Sequence, residues 1–546
     1  MKKPQLSEMT LKEKIGQMLM LNQFERYEID GTAVRWSDEA IEKMAKKEQF
    51  GSIYGQYGVF MKSYEFADIV NREASFLKIP PLVGGDSEYK GAGQSNTDLT
   101  PVPAPLALGA TDDEDIVFEM GAAIARELRC TGINWRWSPV VDISGYFGSG
   151  CLRAFTDTDT EKHSRLATAM IQGMQSEGVA ATAKHFPGAD PSDLRDSHFS
   201  LKSMALSKEE WFKKQGQIFK NVIDGGVYTI MVGHSAFPAI DNSTVNGKLR
   251  PSTTSKKVIS DLLKGEMGFE GVVISDDLAM SGIAAVFSYE DMIVECVNAG
   301  NDVLLNTKPD TDDIIEKAVR DGRIDESRID DACRRVLDLK EKLGMFEEGY
   351  VNVKYKADEV KTGTEEIAKR AARKAVDLVR DRRNVLPFDK NKVKKAAIIV
   401  STHFDEFWDC DIPKLKKSLE YRGIEVSMQR RLSSEAEIKK IAEENDLIIY
   451  AAFVAMHYPK GANTLVCEEC DTFWYAFKHG AEKSVGFSSG LPYLANGIMS
   501  GADVFVNLYG RAPALMDAFV AALFGEIPFA GKTPVNMKPP KIIFED

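Results

Sequence analysis

The sequence predicts an α/β protein: a (β/α)8-type barrel followed by a smaller, doubly wound α/β sandwich domain. Three observations carry that reading. Short β-like runs alternate with segments of helical period from about residue 50 onward. The alternation lasts about 300 residues, a length that suits a closed eight-stranded barrel. Polar, chemically capable side chains recur at the C-terminal ends of the strand candidates, the end from which barrel sites are built: Asp86, Asp142, Lys184, His185, His234 and Asp276.

The elements follow in order. Residues 11–21 form an amphipathic stretch of helical character. Strand candidates lie at 51–56, 81–86, 133–142, 179–186, 228–235, 271–277 and 302–306, with helical segments such as 115–129, 161–175, 208–223 and 256–263 between them. That is seven strands, one short of closure. A charged helical stretch, 323–346, ends a first domain spanning 1–346. A polar connector, 347–363, and a helix, 364–382, link it to a second alternation over 383–546, with strands at 396–400, 425–429, 446–453, 484–490 and 502–510. No GxGxxG or P-loop pattern accompanies that second sheet, so it offers no cofactor fingerprint.

Composition narrows the function. Of the 546 residues, 44% are hydrophobic and 28% charged, as in a globular protein, and no run of about 18 apolar residues occurs, so no membrane partner is expected. A net charge of −13 repels polyanions and argues against nucleic acid as the partner. The first residues show no signal-peptide h-region, and the seven cysteines are few, odd in number and scattered; both suit a cytoplasmic location. Cys467-Glu-Glu-Cys470 is a lone CxxC with only His457 and His479 nearby. A zinc site wants a second pair, so no metal or cofactor is expected.

Two clusters could do chemistry. Lys184-His185-Phe186-Pro187-Gly188 leads from a strand end into a loop carrying Asp190, Asp193 and Asp196-Ser197-His198. Such a loop can be a plain solvated turn. The two-residue spacing of Asp196 and His198, however, lets a carboxylate meet an imidazole nitrogen, fixing its tautomer and raising its pKa, as a proton donor near neutrality requires. The second cluster is an apolar run, 271–275, ending in Asp276-Asp277. Neighbours on a strand point to opposite sides, so only one carboxylate can face a given site, and one of the two can instead cap the following helix.

In this order KHFPG, DSH and, about 80 residues on, GFEGVVISDDLAM resemble glycoside hydrolase family 3, and in particular its β-N-acetylglucosaminidase branch. Residues 11–18, 101–109, 137–142, 231–240, 249–255, 322–329, 342–346 and 525–534 resemble further family segments in sequence, so the likeness covers nearly the whole chain. The resemblance implies a retaining, exo-acting glycosidase that releases terminal β-linked N-acetylglucosamine from cell-wall or chito-type glycosides, as in peptidoglycan recycling. It assigns Asp276 as nucleophile, His198 with Asp196 as general acid/base, and Asp86, Arg153, Lys184 and His185 as sugar contacts, with Asp277 structural. The implied partner is a carbohydrate substrate, and the chain is expected to be a monomer or homodimer.

Two departures fall where substrate is gripped. The branch carries DQEGGRVxR after the strand ending at Asp86; this chain reads Asp86-Ser-Glu-Tyr-Lys-Gly-Ala-Gly-Gln94, without the arginines. Its loop reads PGADPSDLRDSH where PGHGDTxxDSH is commoner, one residue longer and lacking a second histidine. Alternatives therefore stay open: a β-glucosidase or β-xylosidase, a glycoside phosphorylase, a degenerate sugar-binding sensor, or a barrel hydrolase whose doubled carboxylates hold a metal with His185 and His198. His163, His403, Trp408 and Met280 read as structural, and His234 as either core or pocket lining.

Overall fold

The computed structural model describes residues 1–22, 24–27, 33–55, 61–143, 149–193, 195–402, 408, 410–454 and 472–538, with backbone only at 24–27, 33–35 and 149. Its first sheet runs β1 (Met20–Leu21), β2 (Ser52–Tyr54), β3 (Leu82–Gly85), β4 (Trp135–Arg136), β5 (Ala180–Phe186), β6 (Thr229–Val232) and β7 (Val272–Ser275), all neighbours parallel. Residues 303–305 close the ring as an eighth stave, bridging Ile274 on one side and Leu19 on the other.

The stave missing from the sequence reading is therefore the first. Helix α1 (Leu11–Gln17), started by a Thr10–Glu13 capping box, ends at Gln17, and the chain passes straight into β1. Met18, Leu19, Met20 and Leu21 are all at most 1% exposed, so apolar residues run unbroken from the helix end through the strand.

Period-two alternation fills both sides of the barrel wall. Met20, Leu82, Trp135, Met231, Ile274 and Val303 pack together inside the barrel, while Leu19, Val83, Ala181, Ile230, Val273 and Leu304 join the layer beneath the helices. At the barrel's waist the Trp135 indole N–H lies 3.0 Å from the hydroxyls of both Thr182 and Thr229, which gives its one polar atom a partner in the dry interior.

The second sheet has six strands: β8 (Asp377–Asp381), β9 (Lys395–Ser401), β10 (Glu425–Gln429), β11 (Leu447–Val454), β12 (Ser484–Gly490) and β13 (Val504–Asn507), in the order β8-β13-β12-β11-β9-β10. All neighbours are parallel except β8, which runs antiparallel to β13 at one edge. Here too the structure adds a strand. The predicted helix 364–382 begins earlier, at Ala357, and ends at Ala375; Asp377–Asp381, expected as its last turns, is β8. Helix Ala357–Ala375 packs against barrel helix Glu114–Leu128 and against Pro513–Leu523 of the second unit. Among the described residues no helix is long and apolar enough to cross a membrane. Cys467, Cys470, His457 and His403 lie outside the described residues.

Candidate active site

All seven residues singled out from the sequence meet at the C-terminal mouth of the barrel. Asp276 follows β7 directly; its N–H donates to the Val232 carbonyl at 2.9 Å, and its Oδ1 accepts the N–H of Asp277 at 2.8 Å. Burial raises the Asp276 pKa, but its electrostatic interactions with His185 and His234, the Asp277 amide and His198 outweigh it and leave the carboxyl at about 2. Lys184 and Arg153 take no part in this, being engaged with Asp86 and Glu88.

Asp277 points away, as strand alternation requires. It accepts from the Ala279 N–H at 2.8 Å and from the Asn306 amide at 3.0 and 3.1 Å. Burial, then the Asp276 and Asp86 charges, push its pKa up to about 6 against those hydrogen bonds. His234, left open between core and pocket, is 1% exposed and lies beneath this pair. Its Nε2 donates to the Asp277 carbonyl at 2.9 Å and its Nδ1 meets the Thr253 hydroxyl at 2.7 Å, while burial lowers its pKa and favours the neutral ring.

The loop after β5 brings the Asp196–His198 pair. Asp196 Oδ1 accepts both the backbone N–H of His198 at 3.0 Å and its Nδ1–H at 2.6 Å. Because a carboxylate only accepts, Nδ1 carries the proton, and Nε2 is the nitrogen able to exchange one with a ligand. The loop docks on the turn after β7: Ser281 N–H donates to the His198 carbonyl at 3.0 Å. His185 repeats the arrangement with a partner from the β4 segment. Asp142 Oδ1 accepts its backbone N–H at 3.0 Å and Oδ2 its Nδ1–H at 2.7 Å.

Lys184, next to His185 in the chain, belongs to a four-membered ionic cluster. Lys184 Nζ donates to Asp86 Oδ1 at 2.5 Å and meets Glu88 Oε1 at 2.9 Å; Arg153 Nη1 donates to Glu88 at 3.0 and 3.2 Å. Lys184, Arg153 and Glu88 are 2, 7 and 7% exposed. Burial lowers the Lys184 pKa, but Asp86 and Glu88 reverse the balance and raise it. Behind them the fully buried Arg136 donates through Nε to the Ser87 carbonyl at 3.0 Å, fixing the turn that carries Asp86 and Glu88. Sequence reasoning passed over Glu88 and Arg136.

Residues 10–339 match the Glycosyl hydrolase family 3 N terminal domain. The chain belongs to glycoside hydrolase family 3.

It is thus a glycoside hydrolase, and its relatives lean toward amino sugars. A beta-N-acetylglucosaminidase/beta-glucosidase of Cellulomonas fimi is 26% identical over 93% of this chain and 97% of its own length. A beta-hexosaminidase of Methylobacillus flagellatus is 32% identical over 43% of this chain and 67% of its own. Among solved structures, a family 3 beta-N-acetylglucosaminidase from Paenibacillus superposes with a TM-score of 0.81 at 26% identity, covering 97% of this chain and 99% of the other. A beta-glucoside phosphorylase, BglX, bound to 2FGlc reaches a TM-score of 0.84 at 25% identity, covering 97% and 95%.

Within this family 3 fold, the geometry bears on the metal alternative. Among the described residues, the trio of carboxylate or imidazole atoms lying within 4.8 Å of one another is Glu48, Asp310 and Asp312, not a set drawn from Asp276, Asp277, His185 and His198. Both of those histidines face carboxylates through Nδ1. The Asp142–His185 pair was legible only by halves: each stood at a strand end, but 43 residues of separation hide a cross-strand contact.

Proposed function

We propose that the chain is a retaining exo-glycosidase releasing terminal β-linked N-acetylglucosamine, with Asp276 as nucleophile and His198, held by Asp196, as acid/base. The observation that carries the reading is one carboxylate kept ionised at the end of β7, within electrostatic reach of an imidazole whose tautomer a second carboxylate fixes. Asp276 Oδ1 is occupied by the Asp277 amide, which leaves Oδ2 to attack the anomeric carbon. As the glycosidic bond breaks, Nε2 of His198 gives its proton to the departing oxygen and the Asp196 carboxylate balances the ring's charge. A glycosyl ester on Asp276 results. The now neutral imidazole takes a proton from water, the hydroxide carbon bond forms at the anomeric centre, and Asp276 is released. Asp86, Lys184, Arg153 and His185 surround the sugar as hydroxyl partners.

General acid help matters in proportion to how poor the leaving group is. In His198→Ala, kcat/KM on an N-acetylglucosaminide with an activated aryl leaving group should stay within about tenfold of wild type. On an alkyl or sugar leaving group it should drop by about 10² to 10⁴. Equal losses on both substrates would remove His198 from the acid role.

A second reading has its own support. A neutral imidazole repels an incoming anion less than a carboxylate base would, and a beta-glucoside phosphorylase shares the fold at 25% identity. Under this reading phosphate attacks the glycosyl ester in place of water. Formation of sugar 1-phosphate at millimolar phosphate, against free sugar alone, separates the two.

A further inference from the structure

We infer that the second domain helps grip the sugar without touching it, by holding the barrel loop that carries Arg153, with Tyr493 and Thr156 as positioning residues. The inference rests on the reading above for what Arg153 grips. Arg153 ends a short 3-10 turn, and the chain continues through Ala154, Phe155, Thr156 and Asp157, all buried, into helix Thr160–Ser176.

On the barrel side this loop meets packing. Helix Pro105–Thr111 runs so close that a Cβ on Gly109 would lie 1.7 Å from the Phe155 carbonyl oxygen, so only glycine fits there. Polar ties come from the other side. The Tyr493 hydroxyl donates to Asp157 Oδ2 at 2.6 Å, the Asn536 N–H donates to Asp157 Oδ1 at 3.2 Å, and the Thr156 hydroxyl donates to the Pro534 carbonyl at 2.6 Å. Tyr493, Thr156 and Asp157 are 0, 2 and 3% exposed. Hydrogen bonds to a carboxylate removed this far from water are expensive to lose, so the tie is stiff.

Tyr493 is itself anchored to the second sheet. It belongs to the turn Pro492–Asn496 after β12, where Ser488 Oγ donates to the Leu491 carbonyl at 2.6 Å and Asn507 Nδ2 to the Pro492 carbonyl at 3.3 Å. A continuous chain of contacts therefore runs from the second sheet through Tyr493 and Asp157 to the Arg153 loop, and from Arg153 through Glu88 to Lys184. A misplacement of about 1 Å at such a group can cost about 10²-fold in rate.

A double-mutant cycle tests this. Tyr493→Phe removes one hydroxyl and should lower kcat/KM about tenfold, mostly through KM. In an Arg153→Ala background the same change should cost less than about twofold, because the lever then has nothing to move. Thr156→Val should behave in the same way, and it serves if Tyr493→Phe does not fold. Hydrogen exchange of the peptide spanning 150–159, which needs no substrate, should accelerate in either variant. No loss in the wild-type background, an equal loss in both backgrounds, or unchanged exchange would overturn the inference. Faster exchange in the variants, together with a wild-type protein that turns over no aryl N-acetylglucosaminide, would instead keep the positioning role and sink the functional reading.

Discussion

Asp276 and Asp277 are neighbours in sequence and opposites in behaviour, because burial pushes both carboxyls up while their surroundings differ. Asp276 faces three imidazoles and holds at about 2; Asp277 faces an amide and two other acids and rises to about 6. If only the first is the nucleophile, Asp276→Asn should lower turnover by at least about 10³-fold, whereas Asp277→Asn should lower it less than about tenfold, with both variants folded by circular dichroism. Comparable losses would mean that the two carboxylates act as a pair. Which of the doubled acids faces the site was legible only through the family resemblance, since alternation separates them without saying which turns inward. Glu88 went unnoticed for a related reason. In sequence it is one more acid in a polar turn, and only the fold shows it bridging Lys184 and Arg153.

At the scale of elements, the strands legible in the sequence were those set apart from the preceding helix by a turn; β1 and β8 begin within three residues of a helix end, with only apolar residues between, leaving no such break. Loop docking was hidden for a different reason: it depends on close backbone approach. The helical turn Ser281–Ala284 lies so near the His198 loop that a Cβ on Gly282 would sit 2.5 Å from the Ser197 carbonyl oxygen. Gly282→Ala must therefore push that loop away from β7. The expected result is a loss of about tenfold or more in kcat on poor leaving groups, a much smaller loss on activated aryl glycosides, and little change in thermal midpoint. A uniform loss on both substrate types would show that Gly282 does not act through His198.

For the whole molecule, the decisive event is closing the barrel where its first and eighth staves meet, and the seam is rich in charge. Lys47 donates to Asp313 at 2.9 Å and pairs with Asp310 and Asp312; Lys12 meets Asp312 and Asp313, each at 3.2 Å. At the end of the same first helix, Gln17 accepts from the fully buried Lys340 of the last barrel helix at 2.7 Å. Sequence alone could not pair these groups, since about 260 to 320 residues separate the partners. The nearby Glu48–Asp310–Asp312 trio resembles a cation site in composition, but its two aspartates already pair with the lysines.

That seam makes global stability depend on pH with a definite sign. Glu48 is 1% exposed, and burial, then the charge of Asp312, push its pKa from 4.5 up to about 7. Its folded pKa exceeds the unfolded one, so the native chain binds the extra proton between those values. Stability from this group is complete below about pH 4.5 and is lost as pH rises to about 7, by an amount on the order of 3 kcal/mol at most. Lys340 runs the other way: burial lowers its pKa to about 7, so the unfolded chain holds the proton more tightly and this group adds stability as pH climbs above 7. Glu48→Gln keeps the shape, abolishes the ionisation and supplies an N–H toward Asp312. Relative to wild type, its thermal midpoint should therefore be several degrees higher at pH 8 and little changed at pH 5, whereas Lys340→Met should alter the trend only above about pH 7. A Glu48→Gln offset that is the same at both pH values would mean that Glu48 is ionised in the native barrel throughout, and that the lysines, not a retained proton, neutralise the seam.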